Sequence, residues 1–342
     1  MTLRIVTALA GAKVGGAEAF FVALTASLAR AGIPVHAVMK ANAQREADLA
    51  KAGVGVSLAP FGKVLDFRTG AVFRQVAASF QPDIVLAFAG RAASRTPRGS
   101  YKTIGRLGGY YNLANFRHCD HLVCNAPDLI RYVTEGGWPK QNVSLIPNFP
   151  NLEPATEVRR QDMGTPEGVP LAVALGRLHR NKGLDILIEA AARVPDLWVW
   201  IAGEGPERQN LEALTARLGV ETRVKFLGWR NDRAGLLKAA DFCVYPSREE
   251  PFGNVVIEAW GYGTALIAAS STGPAWLIRD GEDAILTPVD DIEATAAAIR
   301  RVISSPDLRA YLVANGCKRI EAEFTEENII RRYIELFESV QH

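Results

Sequence analysis

A chain of 342 residues has room for two domains at about 150 residues each. With 48% hydrophobic and 22% charged residues, 30 Gly and 18 Pro, it is neither disordered, nor collagenous, nor a disulfide scaffold. The net charge of +2 conceals a split: residues 1–150 hold 17 Lys and Arg against 8 Asp and Glu (+9), and the remainder 22 against 29 (−7), which points the first half toward an anionic partner.

In chain order, Leu3–Ala8 is a short apolar run that leads through Lys13 into Gly15-Gly16. It is too short for a secretory signal and reads as a buried strand entering a Gly-rich loop. Gly16–Ala31 carries Ala17, Phe20, Phe21, Leu24 and Leu28 at helical spacing, Gly32 stops it, and Pro34 follows. Further strands are predicted at Val35–Met39, Ile84–Phe88, Thr103–Leu107, His121–Cys124 and Ser144–Ile146. Pro147, Pro150 and Pro154, followed by the polar stretch Glu157–Gly168, have the chemistry of a linker. The pattern then restarts, with strands predicted at Leu171–Leu175, Leu197–Ala202, Val224–Leu227, Phe242–Tyr245, Ala265–Ala268 and Ala284–Leu286. Helices such as Leu184–Arg193 and Arg208–Leu218 lie between them, and a last helix over Glu326–Val340 is placed to pack back on the first domain. Strand–helix alternation with continuously apolar strands implies parallel sheets covered on both faces. The expected architecture is therefore α/β, with two doubly wound Rossmann-like domains at 1–155 and 165–323 and a C-terminal helix at 324–342.

No run of 18 apolar residues exists, so no membrane-spanning helix is expected. Cys119, Cys124, Cys243 and Cys317 form no CxxC pair and have no ligand-spaced partners. That fits a reduced, cytosolic context without zinc.

Three segments carry chemistry. In Arg248-Glu249-Glu250-Pro251-Phe252-Gly253-Asn254-Val255-Val256-Ile257-Glu258, two carboxylates flank seven residues. Glu250 falls in the loop at the carboxyl end of a strand and Glu258 about one turn into the next helix, and ligands of doubly wound sheets bind at such ends. The helix start offers backbone N–H groups of Phe252, Gly253 and Asn254 to an anion or to sugar hydroxyls. Carboxylates accept from hydroxyl pairs, so this pattern suits a polyol ligand. The second segment, Gly176-Arg177-Leu178-His179-Arg180-Asn181-Lys182-Gly183, also follows a strand. Arg177, as a planar fork, and Lys182, as a point charge, are suited to one diphosphate. The third, Trp198 to Glu207, contains the Gly203-Glu204-Gly205-Pro206 turn, and is followed by Val224 to Trp229. Gly15-Gly16, at the start of the first helix, do not satisfy GxGxxG and are a weak phosphate or sugar signal.

Together these segments resemble the retaining glycosyltransferases of family 4, which have the GT-B fold, over nearly the whole chain. The E-x7-E spacing of Glu250 and Glu258, the Gly-Arg…Lys-Gly element and the Gly-Glu-Gly-Pro turn occur in family order. The resemblance implies a sugar-nucleotide donor on the C-terminal domain and the acceptor on the N-terminal one, and the acceptor expected here is a lipid-linked glycan. Arg177 and Lys182 would hold the diphosphate and stabilise the leaving group. Glu258 would bind the ribose. Glu250, with the backbone of Phe252, Gly253, Asn254 and Val255, would bind the donor sugar. Gly15, Gly16 and Gly203 would let loops approach the donor, and Leu227 and Trp229 would flank the base. No Asp-x-Asp element is present, so transfer without a metal is expected, and no cofactor beyond the donor.

One departure stands out. Many members carry a His in the loop after the fourth N-domain strand, and here that stretch, Thr103 to Tyr111, has none. Arg106 or the backbone at Gly108 is the candidate substitute. Arg91, Arg95, Arg98, Lys102 and Arg106 add five basic residues in sixteen positions with no acid among them. Read as a basic loop and strand start, they are either an ordinary solvated face or a landing strip for acceptor phosphates or anionic lipid, the latter implying a peripheral place on the cytoplasmic membrane face. Nucleic acid is not expected, because no recognised binding module is present. The competing readings are a GT-B-fold epimerase or phosphorylase and a non-catalytic nucleotide-sugar-binding protein. A phosphorylase would need a pyridoxal phosphate Lys and a longer chain.

Overall fold

The computed structural model describes residues 3–12, 15–62 and 66–341. The chain divides into two compact units, one running to Phe149 and resuming at Glu326, the other spanning Pro150–Thr325. In the first unit the described strands are β1 (Ile5–Leu9), β2 (Val35–Met39), β3 (Gly55–Leu58), β4 (Ile84–Phe88), β5 (Lys102–Leu107), β6 (His121–Cys124) and β7 (Val143–Leu145). They form one parallel sheet in the order β3-β2-β1-β4-β5-β6-β7. Strand β1 lies between β2 and β4, with Ile5 opposite Val35 and Ile84. Every residue of β1 and β4 is buried, as expected where helices cover both faces of a parallel sheet. The edge strand β3 has no strong signature in the sequence. It opens on Gly55, includes Ser57 and is only half-buried.

The helix Glu326–Gln341 completes this first core. It buries Ile329, Ile330, Tyr333, Leu336 and Phe337 in the cluster that holds Phe20, Phe21 and Leu24. Its four Glu and two Arg therefore count with the first unit, whose charge becomes +7, leaving −5 for the second.

The second unit contains β8 (Leu171–Leu175), β9 (Trp198–Ala202), β10 (Val224–Gly228), β11 (Phe242–Tyr245), β12 (Ala265–Ala269) and β13 (Ile285–Thr287). They form a parallel sheet in the order β10-β9-β8-β11-β12-β13. In both sheets the strand order reverses once, between β1 and β4 and between β8 and β11. Loops leaving adjacent strands at such a point turn to opposite faces, which opens a crevice at the carboxyl ends. The chemistry-bearing segments at 176–183 and 246–253 are the loops that leave β8 and β11.

Where a basic loop was expected, Ala89–Arg95 is a short helix carrying Arg91 and Arg95. Ala89 starts it in the left-handed region, at φ 62°. Among the described residues no helix is long and apolar enough to cross a membrane. The four cysteines are free, and burial pushes the thiols of Cys119, Cys124 and Cys243 up to about 12, so none of these three is a ready nucleophile.

Candidate active site

Two loops of the second unit build the site. After β8 the chain passes Gly176 and the exposed Arg177, makes a short turn over Arg180–Lys182, and enters the helix Leu184–Ala192 through Gly183. Gly183 has φ 61°, and a Cβ there would lie 2.1 Å from the carbonyl oxygen of Pro246, so the two loops touch through backbone. Gly203 does the same between β8 and β9: its Cβ would lie 1.8 Å from the oxygen of Gly176. After β11 the second loop runs to Gly253, at φ 102°, and the helix Asn254–Gly261 begins. The amide of Gly273, in the short helix Thr272–Leu277 that follows β12, donates to the carbonyl of Glu250 at 2.7 Å and so ties this segment down.

Lys182 and Glu250 meet at the crevice. The Lys182 ammonium donates to Glu250 Oε2, and the Tyr245 hydroxyl donates to the same oxygen. The two charged side chains are 22% and 16% exposed, so the pair is shielded but still reachable. Lys182 Nζ also sits 5.6 Å from the centre of the Tyr245 ring. Burial, and then the Glu250 charge, push the Tyr245 hydroxyl well above its ordinary range, so it remains a donor. An ammonium has three donors. The bond to Glu250 leaves two for an incoming anion, and Glu250 Oε1 remains for a hydroxyl. Arg177 makes no ion pair or side-chain hydrogen bond with the described residues.

Glu258 lies one turn into the helix Asn254–Gly261, where Arg233 Nη2 donates to its Oε2 at 2.6 Å. Phe252, Gly253 and Val255 are buried and Asn254 is half-buried. Leu227 lies in β10 and is half-buried. Beyond it, Trp229 is 49% exposed, with its indole N–H on Asn231 Oδ1 at 3.0 Å.

Tyr245 and Arg233 join the candidate site through their bonds to Glu250 and Glu258, and no motif in the sequence marks either. In the sequence Tyr245 is simply the last residue of the apolar run Phe242–Tyr245. Its place at the carboxyl end of a central strand was the available signal. Arg233 is paired with a residue 25 positions away, and no local pattern carries that.

The first unit holds the other candidates. Gly15 precedes the helix Gly16–Arg30, and Glu18 in its first turn accepts from the Ala12 amide at 2.7 Å. Arg45, otherwise buried, donates to the Ala12 carbonyl. Lys13 and Val14, between β1 and Gly15, lie outside the described residues.

The acceptor-side reading of Arg106 needs correction. Arg106 is 3% exposed. Its Nε donates to the Tyr333 hydroxyl at 3.0 Å and its Nη2 to Asn148 Oδ1. Its guanidinium lies 4.3 Å from the Phe20 ring centre and 5.3 Å from that of Phe88. It ties β5 to the last helix and is not offered to solvent. The five basic residues therefore do not form one strip. Arg91, Arg98 and Lys102 are exposed, Arg95 is half-buried, and Arg106 is internal. Lys102 and Arg106 stand at opposite ends of β5, about 13 Å apart at ~3.3 Å per residue. Gly108 follows β5, with its Cβ direction 3.5 Å from Arg106 Nη1, so the backbone there covers the buried guanidinium.

Residues 156–319 match the family described as "Glycosyl transferases group 1", and residues 14–153 match "Glycosyltransferase Family 4". The chain is 35% identical over 332 residues to the lipopolysaccharide core biosynthesis glycosyltransferase LpsE of Rhizobium meliloti, across 96% of this chain and 97% of that one. It is 36% identical over 333 residues to LpsD of the same organism, across 95% of each. Among solved structures, Anabaena HepE in complex with UDP and glucose superposes with a TM-score of 0.86 at 22% identity, over 98% of this chain and 100% of that one. WaaG, a glycosyltransferase involved in lipopolysaccharide biosynthesis, does so with a TM-score of 0.74 at 18% identity, over 97% and 99%.

Proposed function

As a member of glycosyltransferase family 4 with the GT-B fold, this chain is a glycosyltransferase, and we propose that it moves a sugar from a nucleoside-diphosphate donor to a lipid-linked glycan in lipopolysaccharide core synthesis, with retention and without a metal. The observation that carries this reading is the Lys182–Glu250 pair at the point where the second sheet reverses. The names of the two Rhizobium relatives support the lipopolysaccharide acceptor, and the UDP in the HepE structure supports a nucleotide donor.

The roles follow from charge. As the bond from sugar to diphosphate breaks, negative charge grows on the departing phosphate. The two free donors of Lys182, the guanidinium of Arg177 and the helix start at Asn254 stabilise it. These groups are in place before the reaction, so little reorganisation is needed. Glu250 keeps Oε1 for a hydroxyl of the donor sugar while Lys182 and Tyr245 hold its other oxygen. Glu258 accepts from the ribose hydroxyls, oriented by Arg233. The exposed Arg91, Arg98 and Lys102 of the basic first unit attract the anionic acceptor and the cytoplasmic membrane face on which it lies.

The test is transfer onto lipopolysaccharide precursor by Glu250→Ala, Lys182→Ala and Arg177→Ala variants. Each is expected to lower turnover roughly 10²–10³-fold with the fold intact. Wild-type transfer by all three would refute the site.

A further inference from the structure

Arg248 belongs to the loop after β11 and reaches across to the loop after β8, and the proposed roles do not use it. Its backbone amide donates to the carbonyl of Asn181 at 2.8 Å. Its side chain closes over the turn that carries Lys182. Nη1 donates to the carbonyl of Arg180 at 2.7 Å and to Asp185 Oδ1 at 2.8 Å, and Nη2 donates to Asp185 Oδ2 at 2.7 Å. Its Nε donates to Asp290 Oδ1. Four of the five guanidinium donors are thus engaged, and the side chain is only 19% exposed. Asp290 holds its end from the loop after β13, with its own backbone in the left-handed region at φ 62°. An unfavourable backbone in a non-glycine residue persists where surrounding contacts fix it.

The consequence is geometric. Lys182 lies between Arg180 and Asp185, and both are held by one guanidinium from the loop that carries Glu250. The planar fork sets the spacing and the tilt of the turn together, which a single ammonium cannot do. We propose that Arg248 is a positioning residue that fixes the turn bearing Lys182 against the loop bearing Glu250, and acts on the donor only through Lys182. This rests on the reading of Lys182 as a diphosphate ligand.

The experiment is calorimetric titration of UDP, GDP, ADP and TDP into the full chain, continued with whichever binds tightest. The variants are Lys182→Ala, Arg248→Ala, Arg248→Lys, Asp185→Asn and the double variant Lys182→Ala/Arg248→Ala, each checked for native circular dichroism. Arg248→Ala, Arg248→Lys and Asp185→Asn are each expected to weaken binding about tenfold, the scale of one charge-assisted hydrogen bond. The double variant is expected to bind no more weakly than Lys182→Ala alone, because the pathway through Lys182 is already gone. A general structural role would instead give additive losses. Additive losses, or an Arg248→Lys variant with wild-type affinity, would overturn the proposal while leaving Lys182 as a ligand. A wild-type chain that binds none of the four nucleotides would overturn the donor-site reading and this inference with it.

Discussion

A carboxylate that shares one oxygen between an ammonium and a buried phenol has little freedom to rotate. Tyr245 is therefore the residue whose hydroxyl matters most beyond the charged groups themselves. Tyr245→Phe keeps the buried ring and removes the hydroxyl that donates to Glu250. We expect turnover to fall roughly 10–100-fold, since a hydrogen bond to a charged group is worth ~1.5–3 kcal/mol, with little change in Tm. Unchanged turnover would show that Lys182 alone orients Glu250. The positions of Glu250, Arg177 and Lys182 in loops at strand ends, and of Glu258 one turn into the next helix, were readable from the sequence, because strand, glycine and charge follow one another locally. Their partners were not. Asp185 and Arg248 are 63 positions apart and meet only through the sheet. Arg106 shows the reverse error: a run of basic residues says nothing about which of them the strand turns inward.

At the scale of elements, continuous apolar runs marked the central strands, and the edge strand β3 escaped because an edge needs no such run. Two histidines on strands of the first sheet give this level a pH dependence. His36 in β2 and His121 in β6 each place Nε2 at 2.9 Å from a serine hydroxyl, of Ser57 and Ser144. Burial holds both imidazoles below their ordinary range. The unfolded chain then takes up these protons more readily than the folded one. The stability contributed by the neutral rings is full above their ordinary value of about 6.5 and is lost as pH falls through the folded values. We expect Tm to drop between about pH 7.5 and about pH 5, and to drop less in a His36→Gln/His121→Gln variant. An equal drop in both would place the acid sensitivity elsewhere.

For the molecule as a whole, the chain leaves the first unit at Phe149 and returns to it with the helix from Glu326. The sequence hinted at this return only by placing a helix after a completed sheet. Five apolar side chains of that helix are buried. At about 1.5–3 kcal/mol each, they contribute roughly 8–15 kcal/mol, comparable to the entire stability of a typical domain. A chain ending at Thr325 is expected to lose cooperative folding of the first unit, read as loss of its thermal transition; retention of that transition would contradict this packing. The same helix moderates the charge contrast to +7 and −5, so bulk charge still separates the units. The groups proposed to hold the diphosphate nevertheless sit in the acidic one. In the proposed reading, local geometry at Lys182, and not net charge, holds the donor. The most direct measurement is a crystal structure of the chain soaked with the nucleoside diphosphate it binds most tightly. The account predicts the diphosphate on Lys182 and Arg177 and the ribose on Glu258; a nucleotide bound away from the loops after β8 and β11 would contradict it.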